Sequence, residues 1–169
     1  EGPVCMPDGS VLVTELKHGR VTRVHPDGRK ETAAEPGGSP NGLAIGPDGA
    51  LYVCNSGGWD FYELMGLQIP HTDLPGDHTG GWIERVDLDS GDVKVLYTEC
   101  DGHKLIGPND IVFDEHGGFW FTVSPSRRTC PPASGCSSPA SRRSVVVLPQ
   151  PEGPSSEKNS PAWMSRETL

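Results

Sequence analysis

Three short segments place an oxygen-bearing side chain at the head of an apolar run: Glu1-Gly-Pro-Val4, Pro40-Asn-Gly-Leu-Ala-Ile45 and Pro108-Asn-Asp-Ile-Val-Phe113. One carboxylate with two side-chain amides is a hard-oxygen donor set, suited to calcium or magnesium and poorly suited to zinc. A cation held this way would polarise a carbonyl, stabilise a developing oxyanion and lower the pKa of a bound water. Each residue also has a plain structural reading. Glu1 can be a solvated end of the chain, and Asn41 and Asn109 can be turn residues, since both follow Pro and precede Gly or Asp.

Other clusters carry less. Asp87-Leu-Asp-Ser-Gly-Asp92 mimics the start of a calcium loop, but its twelfth position is Thr98 instead of Glu, so a hairpin turn is the better account. His71, Asp73, Asp77 and His78 lie around Pro70 and Pro75, where a polar surface loop outweighs a second metal site. Trp59, Phe61, Tyr62 and Leu64 in the same stretch either cover a ligand or pack on neighbouring structure. The sequence has no Gly-x-Ser-x-Gly elbow, no His-Glu-x-x-His and no Gly-x-Gly-x-x-Gly, so serine-hydrolase, zincin and dinucleotide chemistry have no support. Five cysteines without a Cys-x-x-Cys pair argue against structural zinc and a disulfide framework, and Cys5, Cys54 and Cys100 read as small buried residues of a reducing compartment.

The elements that must position these residues repeat. Met6-Pro-Asp-Gly-Ser-Val-Leu-Val-Thr14, Gly46-Pro-Asp-Gly-Ala-Leu-Tyr-Val-Cys54 and Asp114-Glu-His-Gly-Gly-Phe-Trp-Phe-Thr122 align as a tight turn feeding a strand. Further hairpins follow at 19–28 and 82–97, with the alternation of half-buried strands. Four antiparallel strands repeated at roughly 40 residues predict an all-β protein built as blades of a propeller. Residues 1–122 then hold about two and a half blades: one lacking its first strand, one complete, and the first half of a third. Trp82, Phe119, Trp120 and Phe121 are expected in the blade core. In such blades the innermost strands start on one face, so Glu1, Asn41 and Asn109 should ring the mouth of a central tunnel, with the insertion 55–81 above them.

Glu1-Gly-Pro-Val4, Pro40-Asn-Gly-Leu43, and Pro108-Asn-Asp-Ile-Val-Phe-Asp114 through Gly117-Gly-Phe-Trp-Phe-Thr122 resemble the gluconolactonase, senescence-marker-protein (regucalcin) and luciferin-regenerating-enzyme family. The resemblance covers residues 1–122, the first half of a family member. It implies a six-bladed propeller with a divalent cation, usually calcium, in the tunnel, and hydrolysis of a sugar lactone or similar cyclic ester. It assigns Glu1 and Asn109 to the metal and Asn41 and Asn109 to the substrate. No catalytic base can be named, because the family's later Asn ligand and its Asp, ligand and general base, fall in blades this chain does not contain. On that ground the lactonase activity belongs to a full-length parent, and the chain as it stands is expected to be inactive. The alternatives are a non-catalytic binding or scaffold propeller, or a product without function.

Composition and charge bound the rest. With 22 Gly and 17 Pro the sequence is turn-rich and disfavours a helical bundle. The net charge of −9 argues against nucleic acid or an anionic membrane as partner and fits cations or neutral polar ligands better, the small-molecule lactone being what the resemblance implies. No apolar window is long enough for a membrane span. The balance is uneven: residues 1–122 hold 20 acidic and 8 basic residues, whereas 123–169 hold 3 acidic and 6 basic, with 11 Ser and 8 Pro. Family members usually continue Phe-Thr into Asp, and here Val123 follows Thr122. Residues 123–169 are therefore expected to be a disordered Ser/Pro/Arg-rich tail of out-of-frame or fused sequence, with Ser144-Val-Val-Val-Leu148 as an isolated strand candidate.

Overall fold

The computed structural model describes residues 1–71, 73, 75–100 and 102–123, and the backbone of 144–148. The first sheet is β1 (Val4–Cys5), β2 (Val11–Glu15), β3 (Arg20–Val24) and β4 (Lys30–Ala34), antiparallel and in sequence order, with a short 3-10 turn at Leu16–His18. The second contains β5 (Pro40–Ile45), β6 (Leu51–Asn55), β9 (Trp82–Val86) and β10 (Val93–Tyr97). Between β6 and β9 the insertion folds as its own hairpin, β7 (Phe61–Leu64) with β8 (Leu67–Pro70). A small hairpin, β11 (Glu99–Cys100) with β12 (His103–Lys104), leads to the third sheet of β13 (Ile111–Phe113), β14 (Phe119–Val123) and β15 (Ser144–Leu148).

The repeated Asp-Gly turns fold for one reason. The aspartate side chain accepts from backbone N–H groups ahead of it: Asp8 from Ser10 (2.9 Å), Asp48 from Ala50 (3.2 Å), Asp114 from His116 (2.9 Å) and Gly118 (2.8 Å). The glycine that closes the second turn, Gly49, sits at φ 77°, a left-handed conformation that glycine adopts without strain. Each turn delivers a strand whose alternate residues face opposite sheets. Strand β6 is buried throughout because it has a neighbour on both faces. Leu51 and Val53 join Leu12, Val21, Ala34, Leu43 and Val86 between the first and second sheets. Tyr52 and Cys54 join Ala50, Ile83, Leu105, Phe119 and Phe121 between the second and third. The Tyr52 ring meets Phe113 edge-on at 4.8 Å.

The all-β blade architecture is as expected, with four differences. The first blade has its innermost strand: β1 is only two residues long, but it pairs Val4 with Leu12 and Cys5 with Val11. Strand 144–148 is not isolated, since β15 pairs with all of β14, from Phe119 opposite Leu148 to Val123 opposite Ser144. Phe119 and Phe121 are core, whereas Trp120 alternates to the outer face of the third sheet and is 38% exposed. Cys54 is buried, Cys100 half-buried, and Cys5 exposed at the chain's first strand. The tail positions 124–143 and 149–169, with Cys130 and Cys136, lie outside the described residues. No helix among the described residues is long and apolar enough to cross a membrane.

Candidate functional site

The three expected mouth residues come together through one run of hydrogen bonds that passes from sheet to sheet. Glu1 and Thr14 exchange backbone bonds, with the Glu1 nitrogen donating to the Thr14 carbonyl at 3.1 Å and the Thr14 N–H to the Glu1 carbonyl at 3.0 Å. The buried Thr14 hydroxyl donates to the Asn41 carbonyl at 2.9 Å. The Gly42 N–H donates to the Asn109 carbonyl at 2.6 Å, and the Asn109 N–H to the Thr122 carbonyl at 2.9 Å. The heads of the innermost strands of three successive sheets are thus stitched side by side.

This closeness explains the glycines beside the candidates. A Cβ on Gly2 would stand 2.5 Å from the Asn41 carbonyl oxygen, and one on Gly42 would overlap the Asn109 carbonyl. Glycine at 42 serves the approach of two backbones as much as the turn.

Of the mouth side chains, Glu1 is exposed, Asn109 half-buried and Asn41 only 8% exposed. The Asn41 Oδ1 is buried and accepts no hydrogen bond. A buried amide oxygen left without a donor is costly in an apolar setting and suits a site whose remaining partner is a ligand or cation. The donors fit a hard divalent cation as part of a shell: one carboxylate and amide oxygens, where calcium takes about six to eight oxygens. Among the described residues no three His, Cys, Asp or Glu side chains converge, His71, Asp73, Asp77 and His78 included. Asp87–Asp92 is a hairpin turn as expected, with Asp87 accepting from Asp89 and Ser90 at 3.0 Å each.

Behind the mouth lies a buried polar network that the sequence did not single out. Asn55, at the end of β6, is fully buried and uses its whole amide. Its Oδ1 accepts from the Ser39 and Gly57 N–H groups at 3.0 Å each, and its Nδ2 donates to the Gly37 carbonyl and to Glu84 Oε1 at 2.9 Å each. Glu84 on β9 is 1% exposed, and its Oε2 accepts from the Trp82 indole at 2.7 Å. Burial pushes the Glu84 carboxyl up to about 7, against the opposing effect of the Asn55 and Trp82 hydrogen bonds. The neighbouring Ser56 hydroxyl donates to the Pro108 carbonyl at 3.1 Å, one residue before Asn109.

The insertion meets the mouth at its two ends. His78 Nε2 lies 2.7 Å from the Ser56 carbonyl, and the Gly81 N–H donates to the Leu105 carbonyl at 2.7 Å. Trp59, Asp60, Asp77 and His78 line a cavity of about 250 Å³ there. The aromatic residues beyond do not pack as a lid. Tyr62 and Leu64 are 43% and 54% exposed, and the hairpin is tied back to the first blade by Lys17 Nζ donating to Gln68 Oε1 at 2.7 Å. A cavity of about 400 Å³ opens on the turn side of the sheets beside Arg23, Asp48 and Arg85, away from these residues, and Arg85 already pairs with Asp48 at 2.8 Å.

Comparison with known proteins bears on the fold and the family. The gluconolactonase of Xanthomonas campestris, described as important in glucose secondary metabolic pathways, superposes with a TM-score of 0.60 at 22% identity, over 100% of this chain and 46% of that one. A second structure, solved as a candidate gluconolactonase, gives 0.59 at 20% identity, over 89% of this chain and 45% of its own. At these identities the likeness shows the fold, and the chain spans under half the length of either protein. A virginiamycin B lyase from Nocardia farcinica (strain IFM 10152) is 44% identical over 74 residues, which is 43% of this chain and 23% of the lyase. The model of the SMP-30/Gluconolactonase/LRE-like region matches residues 1–146, running past residue 122 where the motif resemblance ends. The chain therefore belongs to the SMP-30/gluconolactonase/LRE-like family, as a part of its six-bladed propeller.

Proposed function

We propose that the chain contributes the first blades of a lactonase site, in which Glu1, Asn41 and Asn109 serve the hydrolysis of a sugar lactone or similar cyclic ester. The observation that carries this reading is the stitched mouth with the unpartnered Asn41 Oδ1 at its centre. The Glu1 carboxylate and the Asn109 amide are the residues that would hold a divalent cation of the calcium type, and Asn41 and Asn109 would orient the lactone. A cation bound there supplies Lewis-acid polarisation of the ester carbonyl. Asn41 needs no reorganisation to act, since its backbone is held by Thr14 and its Oδ1 has no other partner. The net charge of −9 supports a cation-dependent site and a neutral substrate.

Because the chain spans under half of the gluconolactonases it resembles, the activity is proposed for a complete ring. The test is a pH-stat assay of glucono-lactone hydrolysis by this chain and by a ring completed with the remaining blades of a family member, each with calcium and with chelator. The completed ring is expected to hydrolyse the lactone only with a divalent cation, and N109A to lose about 100-fold. The chain alone is expected to be inactive. A completed ring that binds the lactone without turning it over, or one indifferent to chelator, would move the protein to a non-catalytic binding role.

A further inference from the structure

We infer that Glu84 is a positioning residue of the tunnel mouth: its buried carboxylate fixes the Asn55 side chain, and Asn55 with Ser56 fixes the segments that lead into Asn41 and Asn109. The path is short on both sides. Asn55 Oδ1 holds the Ser39 N–H, two residues before Asn41, and the Ser56 hydroxyl holds the Pro108 carbonyl, one residue before Asn109. Gly37, further back on the same connection, accepts from Asn55 Nδ2. The Asn55 side chain thereby sets the approach of β5 to the mouth, the adjoining Ser56 hydroxyl sets that of β13, and Glu84 sets the Asn55 side chain.

A carboxylate is an expensive residue for this place if packing were its only role. On β9, Glu84 stands opposite Val53 of β6 and Val95 of β10, and Val86 on the same face belongs to the aliphatic cluster between the first and second sheets. A branched aliphatic side chain would extend that cluster with no charge to desolvate. What an aliphatic residue cannot do is accept from both Asn55 Nδ2 and Trp82 Nε1. Ionised, the carboxylate offers an oxygen to each donor. Protonated, its hydroxyl oxygen is a poorer acceptor and one of the two contacts weakens. The hold on Asn55 therefore depends on the state of Glu84. The other titratable groups around the network are the Cys54 thiol on β6, pushed up by burial, and the His78 imidazole against the Ser56 carbonyl. The Gly37–Ser39 connection brings no charge.

The catalytic consequence rests on the lactonase reading, while the positioning itself is read directly by amide NMR of the full chain between pH 5 and 9, a range of about two units on either side of the shifted carboxyl. The backbone amides of Ser39 and Gly57 and the side-chain amides of Asn41 and Asn109 are expected to titrate together with the Trp82 indole N–H, with a midpoint near the Glu84 value of about 7. Glu84→Gln should abolish that shared titration, and His78→Gln should leave it in place. Should E84Q not fold, W82F keeps the carboxylate but removes one donor to it, and the shared midpoint should rise. The inference is overturned if Asn41 and Asn109 stay silent while Ser39 responds. Titration surviving in E84Q, disappearing in H78Q, or keeping its midpoint in W82F would overturn it equally. In the completed ring, E84Q is expected to raise KM for the lactone and to change its pH profile near neutrality. Absence of lactone hydrolysis in every form would remove the lactonase reading and leave the NMR result to decide the positioning.

Discussion

At Gly42 the two backbones of the second and third sheets meet with no room for a methyl group, and the Asn109 carbonyl cannot withdraw without breaking its bond to the Gly42 N–H. Gly42→Ala should therefore cost about 2 kcal/mol of stability through overpacking, read from the urea midpoint, and should perturb the Asn109 amide. Ionisable residues give a second prediction, with opposite signs at two sites. Glu84 titrates near 7 in the folded chain against an ordinary 4.5, so the folded state binds the extra proton. Its contribution is full below pH 4.5 and is lost as pH rises to about 7, by on the order of 3 kcal/mol. Glu15 is held down to about 2, first by Arg20 and then by Thr22, so its contribution is lost as pH falls from 4.5 through 2. Thermal melts across pH should show both slopes, and E84Q should flatten only the one between 4.5 and 7. Glu1, Asn41 and Asn109 stand out in the sequence as candidates because each lies at the head of an innermost strand within a motif. Glu84 does not. In Trp82-Ile-Glu-Arg-Val86 it shares a face with Trp82 and Val86, and alternation does not say that a carboxylate on that face meets buried donors from a neighbouring strand.

Among the elements, β6 is buried along its whole length, and the third sheet gives the cleanest internal comparison. Phe119 is fully buried among Tyr52, Tyr97, Phe113 and Phe121, whereas its neighbour Trp120 points to the outer face beside Val112. Phe119→Ala should cost about 4 kcal/mol and Trp120→Ala about 1, measured by equilibrium denaturation of the same preparation. Equal losses would mean that the two faces of β14 are not what the register makes them. Strands β2, β4 and β6 were legible because each follows an Asp-Gly turn, and β3, β9 and β10 because they alternate. Strand β1 was missed because two residues give no period to read. The pairing of β15 was missed because its partner lies across a Ser- and Pro-rich stretch, and local pattern carries no information on which edge a distant strand will join. The β7–β8 hairpin escaped notice for a different reason: Trp59, Phe61, Tyr62 and Leu64 read as either ligand cover or packing on neighbouring structure, yet Tyr62 and Leu64 are exposed.

For the whole molecule, two four-stranded sheets and one three-stranded sheet follow each other as in the family's ring, and the chain matches 46% of a gluconolactonase over its entire length. Among the described residues, Val112 is 60% and Trp120 38% exposed on the outer face of the third sheet, where a propeller continues with its next blade. Fold and family were legible because the motifs recur in order and each is tied to a strand. The rest of the proposed cation shell was not, because it would depend on blades that the described residues do not form. The most direct test of the central claim, that three successive blades pool their oxygen donors at one mouth, is a calcium titration of the isotopically labelled chain followed by amide NMR. Shifts concentrated at Glu1–Gly2, Asn41–Gly42 and Asn109–Asp110, weak in affinity as an incomplete shell requires and lost in N109A, are the predicted result. Shifts centred on Asp87–Asp92, or no response at the three mouth segments, would contradict it.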